Sequence, residues 1–196
     1  MQFPAVRQSK PIEGGFTLIE LMVTLSVLVV LMALAVPSFQ SMMASSNLSS
    51  VTNDLMTTLA QARSNAVRRG ARVTVCKSAN GSQCVTTGDW EQGWIMFNDD
   101  DHSGTNASVS TGEAITFASP ATASGIVIKG NLDYVSYAAD GQSKLMNGGF
   151  LAGRLRVCST SAALTNDARA RNLVLSGTGR IVIEKQVGVD ATCPAT

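Results

Sequence analysis

Residues 16–36, FTLIELMVTLSVLVVLMALAV, form an apolar run that carries one charge, Glu20, and no Gly or Pro. Wound as a helix at about 1.5 Å per residue, the run covers about 30 Å, the thickness of a bilayer's hydrocarbon core. That is too long for the hydrophobic region of an ordinary secretory signal, and no small-x-small cleavage site follows it cleanly. It predicts a membrane-crossing helix. Arg7 and Lys10 precede the run, so the N-terminus is expected to stay cytoplasmic and the rest of the chain to be translocated. Glu20 needs its own explanation. A charge at mid-bilayer costs about 2.5–3.5 kcal/mol on insertion scales, and a lone carboxylate is no better placed in a protein core.

After Pro37 the apolar pattern changes from continuous to periodic. Leu48, Val51, Leu55, Leu59, Ala62 and Ala66 recur at the three- and four-residue spacing of an amphipathic helix. Pro37 inside a helical stretch predicts a kink, and Gly70 after Arg68 and Arg69 predicts the stop. The expectation is one bent helix from Phe16 to about Arg69, roughly 80 Å long. From Ala71 onward the segments RVTVC, GWIMF, AITFA, GIVIK, LDYVSY, RLRVC, NLVLS and RIVIEK read as strands, bounded by Gly, Asn, Asp or Ser. The fold class is α+β, with an antiparallel head, expected as two packed sheets, holding the second half of the helix.

Cys76, Cys84, Cys158 and Cys193 form an even set with no C-x-x-C pair, and His102 is the one histidine, which argues against zinc. Behind an N-terminal apolar segment, an even set suggests disulfides. Sequence allows three pairings. The favoured one is Cys76–Cys84 as a hairpin clip and Cys158–Cys193 as a pin on the C-terminal tail. The net charge of +1 includes Arg7, Lys10 and Glu13, and without that segment 13 basic residues meet 13 acidic ones. Global charge selects no partner. Asp99, Asp100, Asp101 and His102 could hold a hard cation through oxygens, but they lack the spacing of a calcium loop and read as a solvated turn. Trp90 and Trp94 read as core anchors beneath it. No nucleophile–base pair or phosphate loop is assembled, so neither an enzyme nor a cofactor is expected.

Gly15-Phe16-Thr17-Leu18-Ile19-Glu20-Leu21 resembles the type IV prepilin signature. The resemblance implies a leader over residues 1–15, removed after Gly15 by a membrane-embedded prepilin peptidase that also methylates Phe16. Residues 16–36 would then be the membrane and filament-core helix, 37–70 the amphipathic part, and 71–196 a periplasmic head. Glu20 would pair with the free N-terminal amine of a neighbouring subunit, turning a costly lone charge into a tolerable paired one. "DWEQGWIMFNDDDHSG", "YAADGQS", "GRLRVC" and "RNLVLSGTGRIVIEK" resemble the GspH/FimT branch of pilin-like proteins. That branch implies the type IV pilin fold, an inner-membrane precursor and assembly with other pilins. It implies a minor pilin of the FimT/FimU kind, or the equivalent minor pseudopilin of a type II secretion system.

A third reading is a DNA receptor. Arg154, Arg156, Arg169, Arg171, Arg180 and Lys185 lie in the last third of the chain, and on a strand Arg154 and Arg156 share a face. Arg169 and Arg171 are expected in the polar stretch before a strand, and Arg180 at the opening of the last one. Some FimT-type pilins bind DNA through a C-terminal G-R-x-R motif. Here the matching position reads Gly179-Arg180-Ile181-Val182, without the second arginine. A complete motif, Gly153-Arg154-Leu155-Arg156, stands one strand earlier. Solvated strand faces or contacts to neighbouring pilins are the plainer reading.

Overall fold

The computed structural model describes residues 15–102 and 104–196. The leader expected over residues 1–15 therefore lies, Gly15 apart, outside the described residues. One helix, α1, runs from Leu18 to Arg69 with Pro37 inside it. The chain divides into two compact units, Met1–Phe39 and Gln40–Thr196. In the first, every residue from Gly15 onward is exposed, so its Leu, Val, Ile and Met side chains have no core of their own. Two of its hydroxyls are satisfied along the helix: that of Thr24 donates to the carbonyl of Leu21 and that of Ser26 to Val23.

In the second unit the helix becomes one-sided. Leu48, Leu55, Leu59, Ala62 and Ala66 are buried and Val51 is half-buried, so the periodic stripe is the face that meets the head. Thr52 and Thr58 are buried on that face too, each hydroxyl donating to a carbonyl four residues back. Gly70, at φ 62°, ends the helix. The Gly70 N–H donates to the Val67 carbonyl and the Ala71 N–H to that of Ala66, which caps the last turn.

Among the described residues eight strands follow, all paired antiparallel. β1 is Val73–Lys77, β2 Trp94–Asn98, β3 Ile115–Ser119, β4 Ile126–Gly130, β5 Tyr134–Tyr137, β6 Gly153–Ser159, β7 Ala170–Leu175 and β8 Ile181–Gln186. They make two four-stranded sheets, ordered β3-β2-β1-β5 and β4-β6-β7-β8. Central β1 is buried along its whole length, whereas edge β3 is exposed along almost all of it. The core joins the helix stripe to Val73, Val75, Ile95, Phe97, Tyr137, Leu155 and Val157. Trp90 donates its indole N–H to the Leu132 carbonyl at 2.7 Å, and Trp94 donates to Thr58 on the helix at 3.3 Å. Both indoles are core anchors, but not beneath the acidic turn. Trp94 opens β2 and Asp99 follows its far end.

Cys76 is bonded to Cys84 and Cys158 to Cys193, with Cα atoms 5.6 and 6.0 Å apart. The first bond closes a loop after β1 rather than a hairpin between two strands. Residues 78–88 carry too many Ser, Asn and Gly to form a ladder, and Lys77 holds them instead. Its ammonium donates to the carbonyls of Thr86 and Gly88 and pairs with Asp133 at 2.7 Å.

Candidate functional site

The first candidate lies at the start of α1. Thr17 is the residue before the helix, and its hydroxyl accepts the N–H of Glu20 at 3.2 Å while its carbonyl accepts that of Leu21. Thr17 is thus the helix's N-cap, with Glu20 at the third helical position. The spacing is visible in the sequence, yet the apolar run drew attention to Glu20 alone. A carboxylate in the first turn is also favoured by the helix dipole. The Glu20 carboxylate meets no cation among the described residues. Gly15 and Phe16 are exposed and precede the helix.

The second candidate is the basic set, which the structure disperses. Register places Arg154 opposite Val174 and Arg156 opposite Asn172, on one face of the second sheet. Arg171 pairs across to Val157 and Lys185, on the other face. Arg171 lies within β7 rather than ahead of it, because Ala170 and the alternating Asn172–Leu175 segment extend the ladder back to Cys158. Arg180 precedes β8 instead of opening it, held in the turn where the Ser176 N–H donates to its carbonyl. Arg169 is buried. Its guanidinium donates to the carbonyls of Ser159, Ser161 and Leu164 and to the Asn166 side chain, so its charge organises a loop. Arg156 is likewise engaged, by Asn172 at 3.1 Å and by the Pro194 carbonyl at 3.0 Å. The C-terminal tail, tied down through Cys193, thus occupies part of the face that carries Arg154 and Arg156.

The acidic turn is solvated at Asp100, Asp101 and His102, as its composition suggests, but not at Asp99. Asp99 is buried and accepts from the Thr74 hydroxyl at 2.5 Å and the His102 N–H at 2.9 Å. Burial pushes its carboxyl above the usual carboxylate range; the Thr74 bond opposes this and the Glu113 charge adds to it. Asp100 pairs with Arg69 at 3.3 Å, and Asp101 accepts from Ser110. Among the described residues no group of three His, Cys, Asp or Glu converges as metal ligands.

An apolar helix start that bears one acid and leads into a two-sheet, disulfide-bonded head defines a type IV pilin-like protein. Over residues 51–179 the chain matches the family described as Type II transport protein GspH, and over residues 11–36 the Prokaryotic N-terminal methylation motif. The first match takes in more than half of the chain, which therefore belongs to the GspH family of minor pilins and pseudopilins. Among solved structures, the type IV minor pilin FimU of Pseudomonas aeruginosa strain PAO1, in space group P21, is similar at a TM-score of 0.50. Its sequence is 22% identical, with 70% of this chain and 87% of that chain covered. The same protein in space group P65 gives a TM-score of 0.45 at 20% identity, covering 73% and 91%. At such identity the first likeness concerns the fold. No curated protein matches the chain. Family membership implies assembly with other pilins in a filament.

Proposed function

We propose that the chain is a minor pilin of a type IV pilus, made as an inner-membrane precursor with a cytoplasmic N-terminus and a periplasmic head. A prepilin peptidase cuts after Gly15 and methylates Phe16, and the exposed apolar helix then moves from lipid into the filament core, bending at Pro37. The observation that carries this reading is the continuity of α1. One helix joins residues 18–36, all exposed and bearing Glu20, to a stripe buried on the head. A helix face with no core of its own needs lipid or other helices. In the filament Glu20 accepts the methylated amine of a neighbouring Phe16. Mass spectrometry of sheared filaments tests the processing step: mature protein should begin at methylated Phe16, and a species beginning at Met1 would refute it.

A second reading, a minor pseudopilin of a type II secretion system, is favoured by the description of the matched family. It shares the fold and the processing. Deleting the protein in its own host separates the two, through loss of surface pili or loss of secreted enzymes. DNA reception has the least support, because the basic residues occupy different faces and Arg169 is enclosed. Retardation of double-stranded DNA at low salt, weakening steeply as salt rises, would favour it.

A further inference from the structure

The two sheets have four edges, and three are closed by identifiable devices. At β4 the backbone N–H of Ile128 donates to the Glu91 carboxylate at 3.0 Å, and Lys129 pairs with Asp89 at 3.4 Å. β5 is buried on every residue, and the segment after it bridges back, with the Lys144 N–H donating to the Ser136 carbonyl. β8 carries Glu184 and Lys185, the charges that discourage a further strand. β3 has none of these; its one irregularity, a register shift opposite Met96 and Phe97, lies at its Ile115 end and leaves Phe117 to Ser119 in regular pairing. Ile115, Thr116, Phe117 and Ala118 are exposed, no residue from Ile115 to Ser119 is charged or proline, and among the described residues no strand pairs beyond it. Its outward N–H and C=O groups are a template for one more strand.

A second observation concerns what an added strand would meet. Successive side chains of β3 point to opposite faces. On the Phe117 side a cleft of about 370 Å3 opens against α1, lined by Asp54, Thr57 and Gln61. On the Ala118 side a cleft of about 420 Å3 is lined by Ser78, Asn80 and Gln92, with Gly81 facing Ala118. Both clefts end on Ala118, Ser119 and Pro120. An edge with one cleft above and one below is what strand addition requires, because main-chain bonds supply affinity and the alternating pockets select side chains. Asp54 adds a sign to the first pocket, since its carboxylate pairs with no cation among the described residues.

We infer that β3 receives an extended segment of a neighbouring pilin subunit as a fifth strand, with a Lys or Arg of that segment facing Asp54 and small polar side chains entering the opposite cleft. This inference rests on the filament reading above. It makes the head, as well as the helix, a specific joint between subunits, and it identifies the partner by one free extended segment bearing a basic residue.

The test uses the full chain in its own cells, with p-benzoylphenylalanine in place of Phe117 and, in a separate strain, in place of Leu28 on the apolar helix. Irradiation at position 117 should give an adduct mapping by mass spectrometry to an extended segment of another pilin, and Asp54→Lys or Ala118→Lys should abolish it. Both variants alter exposed positions, and protease resistance of the disulfide-bonded head checks their folding. Adducts at position 28 with none at 117 overturn the inference and leave the filament reading standing. Adducts at neither position overturn both. An adduct at 117 to a second copy of this chain, or one unaffected by Ala118→Lys in a folded head, also overturns it.

Discussion

The N–H of Glu20 donates to the hydroxyl of Thr17 at 3.2 Å, so the residue that bears the acid joins the helix's cap through its main chain and not through its carboxylate. Cap and charge are therefore carried by different atoms and can be removed separately. Thr17→Ala removes the cap, at a local cost of about 1 kcal/mol. Glu20→Gln keeps a residue type suited to the third helical position and removes only the charge. On the filament reading, Thr17→Ala should still enter filaments, while Glu20→Gln should be processed normally and remain in the membrane. Immunoblots of sheared filaments and membrane fractions measure both. Equal incorporation of Glu20→Gln would leave the acid with a structural role only.

That pairing also shows where sequence reasoning stops. The helix stripe from Leu48 to Ala66 was legible because burial on one side imposes a 3.6-residue period, and the strands because β-branched runs end at Gly, Asn or Asp. The basic residues were not legible as a site, since their faces depend on register: Arg156 meets Asn172 and Arg171 meets Lys185 on opposite sides of one sheet. Nor could composition show that Asp99 is buried, because its partners Thr74 and His102 arrive from β1 and from its own turn. The open edge at β3 was likewise hidden. An exposed strand and a central one share the same Val, Ile and aromatic content, and strand order alone tells them apart.

Arg169 and Arg154 should behave as opposites. Arg169→Met strands three carbonyls and an amide that the guanidinium now serves, and the loss should be about 3 kcal/mol, visible as a lower urea midpoint for the head. Arg169→Lys should not rescue it, because an ammonium cannot reproduce the planar fork. Arg154 is exposed at the rim of a small cleft, so Arg154→Ala should leave the midpoint almost unchanged. If Arg169→Met unfolds no earlier than the parent, the buried network is not what holds residues 159–169.

The two disulfides close loops of different length. With sequence separations of 8 and 35, chain-entropy estimates give about 2.5 kcal/mol for Cys76–Cys84 and about 4 kcal/mol for Cys158–Cys193. Replacing both cysteines of the second pair by alanine should therefore destabilise the head more than replacing those of the first. It should also free the tail, exposing the Arg156 guanidinium that Pro194 now occupies. Hydrogen exchange should then rise along residues 187–196 and little elsewhere. Unchanged exchange there would mean that Val189 and the carbonyl contacts of Arg156 hold the tail unaided.

Asp99 ties the head's stability to pH in the direction opposite to most carboxylates. Burial raises its pKa in the folded state above the ordinary 3.8 more strongly than the Thr74 and His102 bonds lower it. The folded protein therefore holds this proton more tightly than the unfolded chain does. What the residue contributes is greatest below the unfolded value and declines as pH rises through the folded one. Asp99→Asn removes the titration while keeping a carbonyl oxygen that can accept from Thr74, whose own hydroxyl lies 2.7 Å from that of Ser136. The unfolding free energy of the parent minus that of the variant should thus fall from pH 3.8 upward and level off once Asp99 is ionised. A difference that climbs with pH would mean that the two hydrogen bonds outweigh desolvation, and that the carboxylate belongs to the turn as an anion.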